Sequence, residues 1–241
     1  MILYVHEYII FKLSNFSVNS KVIFGGLSLG EITALSSTRI FYFISTIYIV
    51  KVRSFTMNYL CNSYAGSMSA ISNYRSICEV YILVTKFKSN ISNINSNKQI
   101  VISGDSLNIN HLKGLLIRNN INVYDIKVHG SFHSESMINA GLIMYYFMKR
   151  FKLKSPTSKI LSNLTGFFYK NKNFCFYISK QIFKPVNFLM NTLCVIHQKP
   201  LFIFELGCGK IISNLLRRNF SSPTFKVFQI STMHDYLNKN L

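Results

Sequence analysis

The sequence has no tryptophan, only four prolines and eleven glycines, and only eight acidic residues among 241. Its five cysteines (Cys61, Cys78, Cys175, Cys194 and Cys208) include no CxxC pair, which argues against a zinc ribbon, and a chain of this length needs no disulfide framework. A reducing compartment, and with it a cytoplasmic location, is the expectation. No membrane partner is expected either, because the apolar stretch 40–50 (IFYFISTIYIV) is about half the roughly 20 residues that cross a bilayer. It reads as a buried helix. The opening MILYVHEYIIFKL carries His6 and Glu7 inside its apolar run, without a basic leader or a small-residue cleavage site, so it is not read as a targeting segment.

What is present is hydrophobic residues at 49% with 15% charged, enough apolar surface for a core and too little charge for disorder. The net charge is +19, carried by 20 lysines and 7 arginines. A basic surface supplies most of non-specific phosphate binding, but the cations here do not cluster into the footprint of a nucleic-acid binder. Lys, Asn, Ile, Phe and Tyr crowd the chain while Ala, Gly and Pro are scarce. These abundant residues are those of A/T-only codons, so the charge is read as drift in an A+T-rich genome, and no nucleic-acid partner is expected. The surplus still favours acidic partners.

From Lys21, KVIFGGLSLGEITAL passes from a β-branched and aromatic run through paired glycines into helix formers, which predicts strand, sharp turn and helix. A helix with little exposure follows over roughly 39–60. Residues 66–128 read as a unit: a strand at 67–71, a helix in YRSICEVYILVTKF, strands in ISNI and QIVISG, a helix capped by Asp105, and a strand in NVYDIKV. The order β-α-β-β-α-β is the ferredoxin-like arrangement. A ferredoxin-like subdomain over 63–128, inserted into an α/β core made of 1–62 and 129–241, is the expected organisation. Strand and helix alternate again after 129, with strands at KILSN and LFIFEL, so the two flanks are expected to complete one open sheet.

The sharpest chemical signal is Gly26-Leu27-Ser28-Leu29-Gly30 between a predicted strand and helix, the setting of a nucleophile elbow. Glycines flanking the serine permit a tight turn that presents its hydroxyl, and the helix beginning at Leu29 offers that residue's amide to an oxyanion. The serine needs a base. Of the six histidines, His129 and His133 bracket Gly130-Ser131-Phe132 at a strand-to-helix turn, and the other four sit in polar or terminal contexts. Their i, i+4 spacing falls across a turn with Glu135 as the one further ligand nearby, so no metal is expected. On the residues alone, Arg53 also suits a helix-face arginine that snorkels to solvent, Gln181 a surface amide, and His133 a helix cap.

In order along the chain, FGGLSLGEITAL, VKVRSFTMNYL with GSMSAI, NSNKQIVISG, GSFHSESM, SNLTG, KQIFKPVNF and FELGCGKIISNLLRR resemble seven motifs of the malonyl-CoA:acyl carrier protein transacylases and related acyltransferase domains. The resemblance implies an α/β-hydrolase-like core with an inserted ferredoxin-like subdomain. It implies Ser28 as the nucleophile that carries malonyl as an ester, His133 as its base, and a backbone carbonyl near Gln181 that orients the histidine in place of a triad aspartate. It also implies Arg53 as the grip on the free malonyl carboxylate, for which a guanidinium fork suits better than an ammonium. Phe132 then crowds substrates with an extra methyl. Coenzyme A thioester and acyl carrier protein are the expected partners, with no metal or redox cofactor.

The sequence departs from that family in two places. Leu27 stands where the family has histidine, and residues 1–25 contain nothing similar to its first strand and Pro-Gly-Gln-Gly turn, whose glutamine amide is the second oxyanion donor. Loss of one such donor typically costs about 100-fold to 1000-fold in rate. The core is therefore expected to be N-terminally truncated, from a misplaced start, a split gene or a decaying one, and a separate N-terminal fragment joins the expected partners. Two rival functions follow: an impaired remnant that only binds acyl carrier protein or another partner, and a serine hydrolase or esterase, which would want an acid placed between Ser28 and His133 in the sequence.

Overall fold

A computed structural model describes residues 1–220 and 223–237. It is a mixed α/β structure. Helix α1 (Ile2–Leu13) precedes strand β1 (Ile23–Phe24), helix α2 (Leu29–Ser37) and the long helix α3 (Phe43–Ser63). Next come β2 (Gly66–Ser72), α4 (Ile77–Lys86), β3 (Asn90–Ser96), β4 (Gln99–Asp105), α5 (Ser106–Arg118) and β5 (Asn122–Asp125). A turn of 3-10 helix at Glu135–Met137 leads into α6 (Ile138–Met148), then β6 (Lys159–Ile160), α7 (Phe174–Gln181), α8 (Phe188–His197), β7 (Phe202–Leu206), α9 (Ile211–Asn219), β8 (Lys226–Ile230) and α10 (Met233–Leu237).

The middle of the chain forms the expected β-α-β-β-α-β unit, a four-stranded antiparallel sheet in the order β3-β4-β2-β5. Its alternation puts Ile71, Ile100 and Ile102 against Val80 and Val84 of α4 and Ile109, Leu112 and Leu116 of α5. Ser76 caps α4 through Cys78 N, and Asp105 caps α5 by accepting from Leu107 N at 2.9 Å, so both helices start where their polar side chains satisfy first-turn amides. The outer edge of β3 docks on the rest of the protein: Ile94 N donates to Val186 O and Val186 N to Ser92 O at 2.9 and 2.8 Å. The segment after Pro185 thereby extends this sheet, which the sequence did not foretell.

The larger core is built by α1, α2, α3, α6 and α7 around Tyr4, Ile32, Leu35, Ile49, Met144 and Ile178. Here one expectation is corrected. The flanks do not complete one open sheet: among the described residues β1 pairs only with β6 and β7 only with β8, as two separate parallel pairs. No described strand lies between β1 and β7, and β6 shrinks to two residues where five were expected. Strand β8 was not anticipated. The expected end of the core at 241 lies outside the described residues.

Helices α6 and α7 meet at Gly141. A β-carbon there would lie 2.5 Å from Phe183 Cδ1 and 2.7 Å from the Ser179 carbonyl oxygen, too close for either to remain in place. Gly141→Ala is expected to lower unfolding stability in urea by about 1–3 kcal/mol, the range for overpacking, despite alanine's better helix propensity.

Candidate active site

Ser28 sits at the junction of β1 and α2 with φ 55° and ψ −99°, a conformation costly for a non-glycine residue. It occupies the N-cap position, yet its hydroxyl makes no capping bond and instead lies 2.9 Å from His133 Nε2. The two glycines of the elbow differ in what they permit. A β-carbon on Gly26 would fall 2.2 Å from the Gly30 carbonyl carbon, so the turn closes only over a glycine; one on Gly30 would meet nothing within 4 Å. The expected need for glycine on both sides therefore holds sterically at Gly26 alone.

His133 is buried and also has positive φ, at 56°. Its Nδ1 lies 2.6 Å from the Gln181 carbonyl oxygen. That oxygen can only accept, so Nδ1 carries the proton and Nε2 presents its lone pair to the serine hydroxyl. Burial, followed by the nearby charge of Arg53, pulls the imidazole pKa down to about 4, while the Gln181 carbonyl opposes the fall. The imidazole is neutral across the physiological range, and the group behind it is a carbonyl in place of a carboxylate. Gly130 lets its loop approach α3: with φ +150°, a β-carbon there would meet Cys61 Sγ at 2.1 Å.

Arg53 on α3 does not snorkel away. Its Nη2 donates to Ser28 Oγ at 2.9 Å, and its Nε is buried without a partner among the described residues. Burial brings its pKa down to about 10 and Glu31 partly restores it, so the guanidinium stays cationic at neutral pH. Leu29 is the first residue of α2, where its amide belongs to the unsatisfied helix start. Leu27 packs beside Val186, Phe188 and Leu215, and Phe132 packs, half-buried, against the larger core.

Three residues that the sequence reading did not single out hold this geometry. Asn163, fully buried, accepts from Ser28 N at 2.7 Å through Oδ1 and donates to Gly26 O at 2.8 Å through Nδ2, clamping the elbow on both sides. Glu31 is also fully buried, accepts from Gln181 Nε2 at 2.6 Å, and receives the Tyr169 hydroxyl on its other oxygen. Burial raises its pKa to about 7 against the pull of those donors. The available signals were the lone acid in the helix after the elbow and the asparagine of SNLTG. Among the described residues no three His, Cys, Asp or Glu gather as a metal site, and no helix is long and apolar enough to cross a membrane.

No protein-family model matches the chain. It is 30% identical over 203 residues to the malonyl CoA-acyl carrier protein transacylase of Buchnera aphidicola from Schizaphis graminum, a match covering 80% of this chain and 64% of that protein. It is 27% identical over 199 residues to the transacylase of the same name from Bacillus subtilis, covering 80% and 63%. The chain thus spans a little under two thirds of these relatives' length. Among solved structures, the malonyl-CoA:acyl carrier protein transacylase of Xanthomonas oryzae superposes with a TM-score of 0.90 at 20% identity, over 98% of this chain and 76% of that one. The malonyl CoA-acyl carrier protein transacylase of Clostridium perfringens gives 0.86 at 22%, over 99% and 78%. The chain is homologous to these transacylases over most of its length, and its fold is theirs.

The depressed His133 pKa has a direction in solution. Between about pH 6.5 and 4 the unfolded histidine binds a proton that the folded one excludes, so its contribution to stability is complete above 6.5 and is lost as pH falls towards 4. If Ser28 acts as a nucleophile with His133 as its base, the rate should likewise hold level from pH 8 to 5 and fall only near 4. A midpoint near 6.5 in a pH–rate profile would contradict the buried, carboxylate-free base.

Proposed function

We propose that this chain transfers malonyl from coenzyme A to the phosphopantetheine thiol of acyl carrier protein, through an ester on Ser28. The observation that carries the reading is the convergence of His133 Nε2 and Arg53 Nη2 on Ser28 Oγ, each at 2.9 Å. A serine hydrolase requires the first contact but has no use for a buried guanidinium at the nucleophile. Nε and Nη2 form one edge of the arginine fork. With Nη2 at the serine and Nε unpartnered beside it, that edge suits a substrate carboxylate held next to the scissile carbonyl.

In the first half-reaction Ser28 Oγ attacks the thioester carbon while its proton passes to His133 Nε2, and the oxyanion draws on the Leu29 amide at the start of α2. Collapse breaks the C–S bond, and the imidazolium returns the proton to the departing coenzyme A thiolate. In the second half the acyl carrier protein thiol gives its proton to His133, attacks the ester, and Ser28 recovers its proton. The Gln181 carbonyl holds the base in its reactive tautomer and favours the transient imidazolium, taking the part that an aspartate plays in a triad. The sequence calls on no metal or redox group. The half-buried ring of Phe132, beside the base, is the group we assign to limiting substrate size.

In this reading the core of 1–62 and 129–241 is α/β-hydrolase-like and the 63–128 insert is ferredoxin-like, in a cytoplasmic enzyme. The similarity to transacylases and the strand–elbow–helix geometry at Ser28 support the first, and the strand order β3-β4-β2-β5 supports the second. The surplus of cations suits acyl carrier proteins, which are acidic as a class.

Incubation with radiolabelled malonyl-CoA is expected to label the protein, and Ser28→Ala to abolish the label. Arg53→Ala should lower the malonylation rate about 10-fold to 100-fold, the weight of a charge-assisted hydrogen bond at about 1.5–3 kcal/mol, while acetyl transfer falls far less. Equal losses for malonyl and acetyl would remove Arg53 from carboxylate recognition.

A further inference from the structure

Helix α3 buries one side and opens the other. Ile49, Val50, Thr56 and Met57 are buried and Arg53 reaches inward to Ser28, while Tyr48, Phe55 and Tyr59, seven and four residues apart on the opposite side, are 53%, 71% and 65% exposed. Helix α6 repeats the pattern: Ala140, Gly141, Met144 and Met148 are buried, and Leu142, Ile143 and Tyr146 stand open. The two helices are antiparallel neighbours. Lys154 N, beyond the end of α6, donates to Ile40 O before the start of α3 at 3.2 Å, and Gly130, on the approach to α6, lies against Cys61 near the end of α3. Their outward stripes therefore adjoin. A surface helix ordinarily turns polar residues to water, and contiguous exposed apolar side chains mark an interaction site.

The charge beside these stripes is nearly of one sign. The sequence holds no acid between Glu31 and Glu79 or between Glu135 and Glu205, so neither helix contains one. Lys51 on α3 and Lys149, Arg150, Lys152 and Lys154 just past the end of α6 are exposed, and the exposed acid Glu135 stands at the opposite end of α6. The lysines lie along aromatic rings: Lys154 Nζ is 4.8 Å from the centre of the Tyr42 ring, and Lys149 Nζ is 5.2 Å from that of Tyr145.

We propose that the joined outward faces of α3 and α6 bind an anionic lipid surface, with both helices lying flat in the headgroup layer. The rings and aliphatic side chains enter the boundary with the acyl chains, and the flanking cations meet the lipid phosphates. Charge and shape decide between occupants. A second copy of the chain would set cations against cations. An acidic protein would pair with the cations but needs a surface shaped to it, whereas a fluid bilayer takes up any apolar side chain that stands out from a helix. The expectation of no membrane partner came from the length needed to span a bilayer, which a helix lying in the interface does not require. The face is on the side of α3 turned away from Arg53 and Ser28, and the inference rests on exposure and charge, independently of the acyl-transfer reading.

The test floats the purified chain with vesicles of phosphatidylcholine alone or with about 30% phosphatidylglycerol. The anionic vesicles are expected to carry about tenfold more protein or better, and about 0.5 M sodium chloride to lower that severalfold. Combined Tyr48→Ser, Phe55→Ser and Tyr146→Ser, all at exposed positions and with the fold checked by circular dichroism, should weaken binding about tenfold. Combined Lys149→Glu, Arg150→Glu and Lys152→Glu should do the same, whereas Lys86→Glu, Lys98→Glu and Arg118→Glu, an equal charge change within 63–128, should leave binding within about twofold. The proposal is overturned if neutral vesicles carry as much protein, if the serine variant binds as well as the parent, or if both charge variants lose binding alike, which would leave only the general attraction of a chain with net charge +19. It is also overturned if sedimentation shows a dimer that the serine variant abolishes, or if the vesicles stay unbound while acyl carrier protein binding falls in that variant. Flotation is read without substrate, so failure here and failure of malonyl transfer are told apart.

Discussion

The site depends on one glutamine. Gln181 ends α7 with its carbonyl 2.6 Å from His133 Nδ1, while its side-chain amide donates to Ser28 O at 2.9 Å and to Glu31 at 2.6 Å. His133 and Ser28 are thus referenced to a single residue, and any shift of α7 moves both. His133, Gln181 and Glu31 are buried, so the bonds among them are stronger than in water and an unmet group there is costly. Burial and the charge of Arg53 keep the histidine neutral, against the pull of the carbonyl behind it. The guanidinium that lowers the imidazole pKa also donates to the Ser28 hydroxyl oxygen.

The strain at the elbow is held in place by partners distant in sequence. Ser28 keeps its unfavourable backbone angles because Asn163 binds its amide and the Gly26 carbonyl, and Asn163 is itself held by Asn191 at 2.8 Å. The scarcity of acids gives this network a further meaning. Glu31 braces Gln181, Glu7 accepts from Thr33, Asp105 caps α5, Glu205 accepts from the first amides of α9, and Asp125 pairs with Lys113. The few acids retained in a lysine-rich chain are largely those that the fold bonds internally.

Periodicity and punctuation made much of the architecture legible. The short runs SMSAI and QIVISG marked β2 and β4, Asp105 marked the start of α5, and the glycines around Ser28 marked the elbow, each because the physical cause lies within a few residues of its effect. The single open sheet failed to follow for the opposite reason. Strand character is local, but which edges meet depends on what lies between them, and no described strand separates β1 from β7.

The sequence by itself determined a strand–turn–helix around Ser28, a β-α-β-β-α-β order between Gly66 and Asp125, and, through the resemblance of its ordered motifs, the company of Ser28, His133, Arg53 and Gln181. Tertiary structure alone decided what those residues do to one another. The serine and the histidine stand 105 positions apart, the histidine and its carbonyl 48, and the glutamine and the elbow 153. Tautomer, pKa and the bracing by Asn163 and Glu31 arise only when those separations close to hydrogen-bonding distance among buried side chains, where burial and direction set the strength of every polar contact.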